Sequence, residues 1–144
     1  MYFEDFIVGQ RFQIEPITIT LEDIYEFANK YDPLPIHTDP KFAESSIYEG
    51  IISSGFHTLC AIWGQWVRMN IVRTEVIGGL GIDFLNWTAP VRPNDRLNAD
   101  IDVAELIPSS KGGRGILVAK ATAYNQNGQV VLVAQVKGMI KSKL

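Results

Sequence analysis

The sequence predicts an α+β fold in which an antiparallel sheet wraps around one long central helix. Three observations carry that expectation. A long apolar segment from about Gly55 to Val72 has helical spacing. Everything after it alternates as strands and contains an Asn127-Gly128 hairpin signal. A short strand and short helices come before it, so strand, helices and then a run of strands follow in order.

Arg11 to Thr20 alternates as a strand, with Phe12 and Ile14 on one phase and Ile17 and Ile19 on the other. The phase changes at Pro16, where a bulge or an edge position is expected. Thr20 and Asp23 form a capping-box pair ahead of Leu21, Ile24, Phe27, Ala28 and Tyr31, which recur at helical spacing. Asp39-Pro40 reads as a second cap with proline at the first helical position, leading a small helix through Phe42 and Ala43. Gly50 to Gly55 is a break. The long helix then runs for roughly 18 residues, spanning about 27 Å, and its apolar residues on most faces predict full burial. Strands are expected over Gly81–Thr88, around Leu97–Val103, over Gly115–Tyr124 and over Val130–Lys141.

With 144 residues the simplest organisation is one domain, residues 1–144. The net charge of −3 offers no basic field for nucleic acid. A single cysteine, Cys60, forbids an internal disulfide and fits a cytoplasmic setting. The start Met1-Tyr2-Phe3-Glu4-Asp5 lacks a secretory signal, and Gln65, Arg68 and Asn70 interrupt the apolar stretch too often for a membrane span. Two histidines without cysteine or carboxylate at ligand spacing make no metal site.

The segment Tyr31-Asp32-Pro33-Leu34-Pro35-Ile36-His37-Thr38-Asp39 places an acid and a histidine five positions apart, on a chain stiffened by two prolines. That spacing does not put both groups on one face of a single helix. A preorganised acid/base pair and a plain proline-rich turn are both consistent with it. Ser54-Gly55 opens the long helix, whose first N–H groups lack intrahelical acceptors and sit at the positive end of its dipole. Glycine there lets a ligand oxygen approach the backbone. The Gly55 N–H is therefore the candidate oxyanion donor. Ser54 either orients the pair or caps the helix. His57 is read as a packed helical histidine.

Three segments together resemble the MaoC-like dehydratases, the family of (R)-specific enoyl-CoA hydratases with the hot-dog fold. They are Asp32 to Asp39, Gly50 to Thr58, and Phe84 to Asp95. The resemblance implies a hydratase or dehydratase acting on 2-enoyl-CoA and (R)-3-hydroxyacyl-CoA thioesters. Its acid/base pair would be Asp32 and His37, with Gly55 as oxyanion donor and Ser54, Phe56, Leu34 and Arg92 against the substrate. Coenzyme A would enter as part of the substrate, with no separate cofactor. The partners implied are the acyl-CoA and a second copy of the chain, with neither nucleic acid nor membrane. Arg92, Arg96, Lys111 and Arg114 are candidates to meet CoA phosphates. Phe42, Trp63, Trp66 and Trp87 are candidates to limit an acyl tunnel.

Leu34 stands where the family has Asn, and leucine cannot make an amide's hydrogen bonds. How the arc is braced and which acyl group it serves are therefore open at this level. Two alternatives use the same fold. A hot-dog thioesterase would place an acid on the long helix, yet Phe56 to Arg73 holds neither Asp nor Glu. A non-catalytic acyl-CoA binder would form a complex without turnover.

Overall fold

The computed structural model describes all residues, Met1 to Leu144. Six strands form one antiparallel sheet in the order β1-β4-β5-β6-β3, with β2 pairing with β4 beside β1. The strands are β1 Arg11–Gln13, β2 Ile17–Ile19, β3 Val76–Trp87, β4 Asp95–Pro108, β5 Arg114–Tyr124 and β6 Val130–Lys141. Helices α1 Leu21–Tyr31, α2 Pro35–Thr38, α3 Pro40–Glu44 and α4 Gly55–Arg68 lie between β2 and β3. This is the hot-dog arrangement, with α4 packed against the sheet. No helix is long and apolar enough to cross a membrane.

The expected first strand divides at Pro16. Phe12 pairs with Ile101 and Ile17 with Leu97, so the register slips by one residue between the halves. Ile14 and Ile19 are consequently both buried despite their opposite phases. Thr20 accepts from the Asp23 N–H at 3.1 Å and Asp23 accepts from the Thr20 N–H at 3.4 Å, the capping box in full. The β5–β6 hairpin turns through Asn125 to Gln129. Only Gly128, of the expected Asn-Gly pair, takes a left-handed φ, +76°.

Two expectations about α4 need correction. Helix α4 has 14 residues, so it spans about 21 Å rather than 27 Å. It stops because Asn70, just beyond the Met69 cap, turns left-handed at φ +57°, a conformation asparagine tolerates better than most residues. Nor is α4 buried all round. Thr58, Ile62 and Trp66 face the core, whereas Phe56, Cys60, Trp63 and Val67 are exposed. Trp66 fills the core, edge-on to Phe12 at 5.5 Å, and Trp63 does not.

Strand β3 starts at Val76, five residues before the expected Gly81; the glycines at 78, 79 and 81, which weaken a strand in isolation, hid its beginning in the sequence. In the sheet these glycines fall where the β3–β6 register shifts. The main core joins Ile62 and Trp66 of α4 to Leu97, Ala99, Ile101, Ala121, Leu132 and Ala134 of the sheet. Burying each of the large aliphatic side chains contributes about 1.5–3 kcal/mol. That packing fixes where the first turn of α4 meets the segment preceding it.

Candidate active site

Helix α1 ends at Asp32, whose N–H still reaches the Ala28 carbonyl at 2.9 Å. The prolines prevent the helix from continuing. Instead Pro35 occupies the first position of α2, a four-residue helix that carries His37. The sequence reading did not foresee α2, since four residues are too few to show a period. It explains the five-residue spacing: the acid is the residue that ends α1 and the histidine belongs to α2.

Leu34 does not need an amide to brace the arc. Its carbonyl accepts from the His37 N–H at 2.9 Å and from the Thr38 hydroxyl at 3.1 Å, and its own N–H reaches the Asp32 carbonyl at 2.8 Å. The loop before α4 is stitched to the same unit. Ile52 N–H donates to Ile36 O at 3.2 Å, and Ser53 N–H donates to Val91 O at 2.8 Å.

His37 is buried, with Nδ1 at 2.7 Å from the Ile52 carbonyl. A carbonyl only accepts, so Nδ1 carries the proton, and whenever the ring is neutral its lone pair is at Nε2. Nε2 lies 3.4 Å from Asp32 Oδ2. The same Oδ2 accepts from the Ser54 hydroxyl at 2.7 Å. Ser54 makes no side-chain capping bond to α4 and is fully buried, so its side chain faces the Asp32 carboxylate rather than a substrate in the cavity. It holds the carboxylate.

Above the pair is an open cavity of about 490 Å³ that Asp32, Leu34, His37, Gly55 and Phe56 all help to line. The Gly55 N–H begins α4 and has no acceptor within the chain. Glycine at this position has a further cause that the sequence did not show. A Cβ here would overlap the indole of Trp87, which packs directly on the Gly55 backbone. Trp87 in turn meets Phe56 edge-on at 5.1 Å.

Arg92 is not in the cavity wall. Its Nη1 donates to the Tyr48 carbonyl at 2.6 Å and its own N–H caps the turn through Asp95 Oδ2 at 2.9 Å, so the structure gives it a bracing role. Lys111 and Arg114 belong to the β4–β5 hairpin, a full 14-residue strand away from the Pro90–Asp95 turn. Phe42 does not line the cavity either. His57 is packed as expected, stacked on Phe27 at 4.9 Å with Nδ1 at 3.0 Å from Ser53 Oγ, and its burial pushes its pKa below the ordinary value. Sequence reasoning missed Ile52, whose contribution is a carbonyl that no side-chain motif can announce.

The arrangement therefore provides a tautomer-fixed imidazole, a carboxylate held beside it, and an unpaired helix N-terminal N–H, all around one cavity. Residues 5–125 match the family model described as MaoC like domain. The chain belongs to that family. It is 28% identical to the (R)-specific enoyl-CoA hydratase of Rhodospirillum rubrum, over 99% of this chain and 93% of that one. It is 33% identical to the 3-hydroxybutyryl-CoA dehydratase of Methylorubrum extorquens, over 79% of this chain and 71% of that one. Among solved structures, the MaoC-like dehydratase from Rhodospirillum rubrum superposes with a TM-score of 0.91 at 29% identity, covering 100% of this chain and 99% of that one.

Proposed function

We propose that this protein is a hydro-lyase that interconverts 2-enoyl-CoA and (R)-3-hydroxyacyl-CoA thioesters, with Asp32 and His37 holding the reacting water. The observation that carries this reading is the fixed tautomer of His37. Its Nδ1 proton is committed to Ile52 O at 2.7 Å, which leaves Nε2 as a base 3.4 Å from the Asp32 carboxylate. A water held between Nε2 and Oδ2 loses a proton to Nε2 as its oxygen bonds to C3 of the enoyl group. The C2=C3 electron pair moves onto the thioester oxygen, where the Gly55 N–H stabilises the developing negative charge. The imidazolium, facing the Asp32 carboxylate, then returns its proton to C2, and the enolate collapses to the saturated thioester. Dehydration is the reverse. Only water and the thioester are consumed, so the cycle needs no cofactor beyond the CoA carried by the substrate.

The assembly proposed is a homodimer. Strand β3 is the free edge of the sheet, and it exposes Val76, Ile77, Leu80, Ile82 and Phe84. The exposed Trp63 and Val67 of α4 share a cavity wall with Val76. An apolar edge strand beside an apolar helix face is a surface that isolated chains rarely leave uncovered. The free, exposed Cys60 accords with a cytoplasmic setting.

The test is loss of enoyl-thioester absorbance with crotonyl-CoA, comparing the wild type with Asp32→Asn and His37→Ala. Each variant is expected to lose roughly 10²–10⁴-fold in kcat while keeping its fold. Full activity in both refutes the proposal.

A further inference from the structure

Ser53 and His57 take no part in the water-addition steps, yet they meet beside the peptide that carries the oxyanion donor. His57 lies on α4, stacked on Phe27 at 4.9 Å, and the buried Ser53 sits two residues before the helix. The Ser53 hydroxyl oxygen has two close neighbours, Ser54 O at 3.2 Å and His57 Nδ1 at 3.0 Å. A hydroxyl carries one proton and accepts through its lone pairs. Both contacts are therefore hydrogen bonds in only one arrangement of protons. His57 Nδ1–H donates to Ser53 Oγ, and the Ser53 O–H donates to the Ser54 carbonyl. The opposite tautomer would draw the hydroxyl proton to Nδ1 and leave the approach to the carbonyl without one. Burial keeps the His57 pKa below its ordinary value, so at neutral pH the ring is neutral and has a single N–H to place.

The consequence lies in the peptide on which this relay ends. Ser54 C=O and Gly55 N–H belong to one planar, conjugated amide. A donor on its oxygen draws electron density that way and leaves the N–H more positive, as linked hydrogen bonds polarise one another. The Ser54 oxygen already accepts from the Thr58 N–H at 3.1 Å, the first hydrogen bond of α4. The Ser53 hydroxyl is a further donor on that oxygen, and the imidazole N–H strengthens it in turn.

Building on the hydratase reading, we propose that Ser53 and His57 are positioning residues that polarise the Ser54–Gly55 peptide and make its N–H a stronger oxyanion donor. Neither touches the reacting atoms, and both act through the amide. One oxyanion donor is worth roughly 10²–10³-fold in kcat. Linked hydrogen bonds strengthen one another by roughly 10–30%. Applied to the exponent, that share is about 2- to 8-fold in kcat.

The experiment combines nitrogen NMR of the ligand-free protein with crotonyl-CoA kinetics on Ser53→Ala, Ser53→Thr, His57→Phe and His57→Asn. In the wild type the His57 Nδ1 resonance is expected to be that of a protonated ring nitrogen, and Nε2 that of a bare one. Ser53→Ala should move the Gly55 amide nitrogen upfield and lower kcat about 2- to 8-fold, with KM little changed. Ser53→Thr keeps the hydroxyl and should restore both readouts. His57→Phe keeps the stack on Phe27 without the N–H, and its smaller loss should vanish in the Ser53→Ala background. His57→Asn supplies an N–H again and should recover that loss; the His57 pair carries the comparison should Ser53→Ala not fold. A bare Nδ1 in the wild type overturns the proposal, as does a Ser53→Ala protein with the wild-type Gly55 resonance or the wild-type kcat. Absence of crotonyl-CoA turnover in the wild type defeats the hydratase reading instead. The two resonances need no substrate, so in that event they still decide whether the relay polarises the peptide.

Discussion

Replacing Ser54 separates a residue that positions a carboxylate from one that caps a helix. Its hydroxyl donates to Asp32 Oδ2 at 2.7 Å and makes no bond to the α4 N–H groups. A hydrogen bond to a charged acceptor contributes about 1.5–3 kcal/mol. The Asp32 side chain keeps 21% of its surface in solvent, so water recovers part of a lost bond. About 1–2 kcal/mol then remains to be expressed in the transition state, which corresponds to about 5- to 30-fold in kcat. Ser54→Ala and Ser54→Gly should both show that loss in the crotonyl-CoA assay, with KM little changed. A cap behaves otherwise: alanine costs about 1 kcal/mol of stability, glycine only a few tenths, and turnover is untouched. Wild-type kcat in both variants, with alanine less stable than glycine, would refute the positioning role.

Gly55→Ala forces a methyl group into the Trp87 ring and should destabilise the protein by about 1–3 kcal/mol in chemical denaturation. Combining it with Trp87→Ala should recover most of that loss, and additive losses would show that the two sites do not press on each other. Burial lowers the His57 pKa, so the unfolded chain binds a proton at pH values where the native protein does not. His57 stability is therefore fully present above its ordinary pKa of 6.5 and lost as pH falls below it. Denaturation midpoints measured from pH 7.5 down to 5 should fall less steeply in His57→Gln than in the wild type, and parallel curves would contradict this. Leu80→Lys places a charge on the exposed β3 edge and should shift the elution volume from dimer to monomer, while an unchanged volume would place the interface elsewhere.

Much of this architecture could be read from local pattern. The Thr20–Asp23 box, the α1 limits, the slip at Pro16 and the β5–β6 hairpin each depend on residues near one another in sequence, and each formed as expected. The Asp32–His37 arc and the Gly55 helix start were legible from local pattern, while the bonds that bring them to one cavity, Ile52 to Ile36 and Ser54 to Asp32, join residues 16 and 22 positions apart. The misses share a different cause. The exposed apolar face of α4 has helical periodicity indistinguishable from a buried one, since hydrophobic spacing does not say what covers it. Arg92 looked free to meet a phosphate, but its partner is the Tyr48 carbonyl, 44 positions away. The early glycines of β3 conceal a strand whose pairing with β6 accommodates them. Trp87 and Gly55 are far apart in the chain, and only the fold shows that one excludes a side chain at the other.

The pairing of β1 with β4 also has a kinetic side. Phe12 lies opposite Ile101, whereas β4, β5 and β6 join through tight neighbouring turns. Contacts close in sequence form before those that must first close a long loop. The β4–β5–β6 meander is therefore expected to gain protection from hydrogen exchange early in refolding, with β1 and β2 docking last. The Asp32–His37 arm lies within that late loop, between β2 and α4. Pulse-labelling during refolding should find β5 amides protected before those of β1, and simultaneous protection would contradict the sequence of events. Catalytic competence would then emerge only when the chain has closed on itself, so partly folded molecules would carry a nearly complete sheet and no working site.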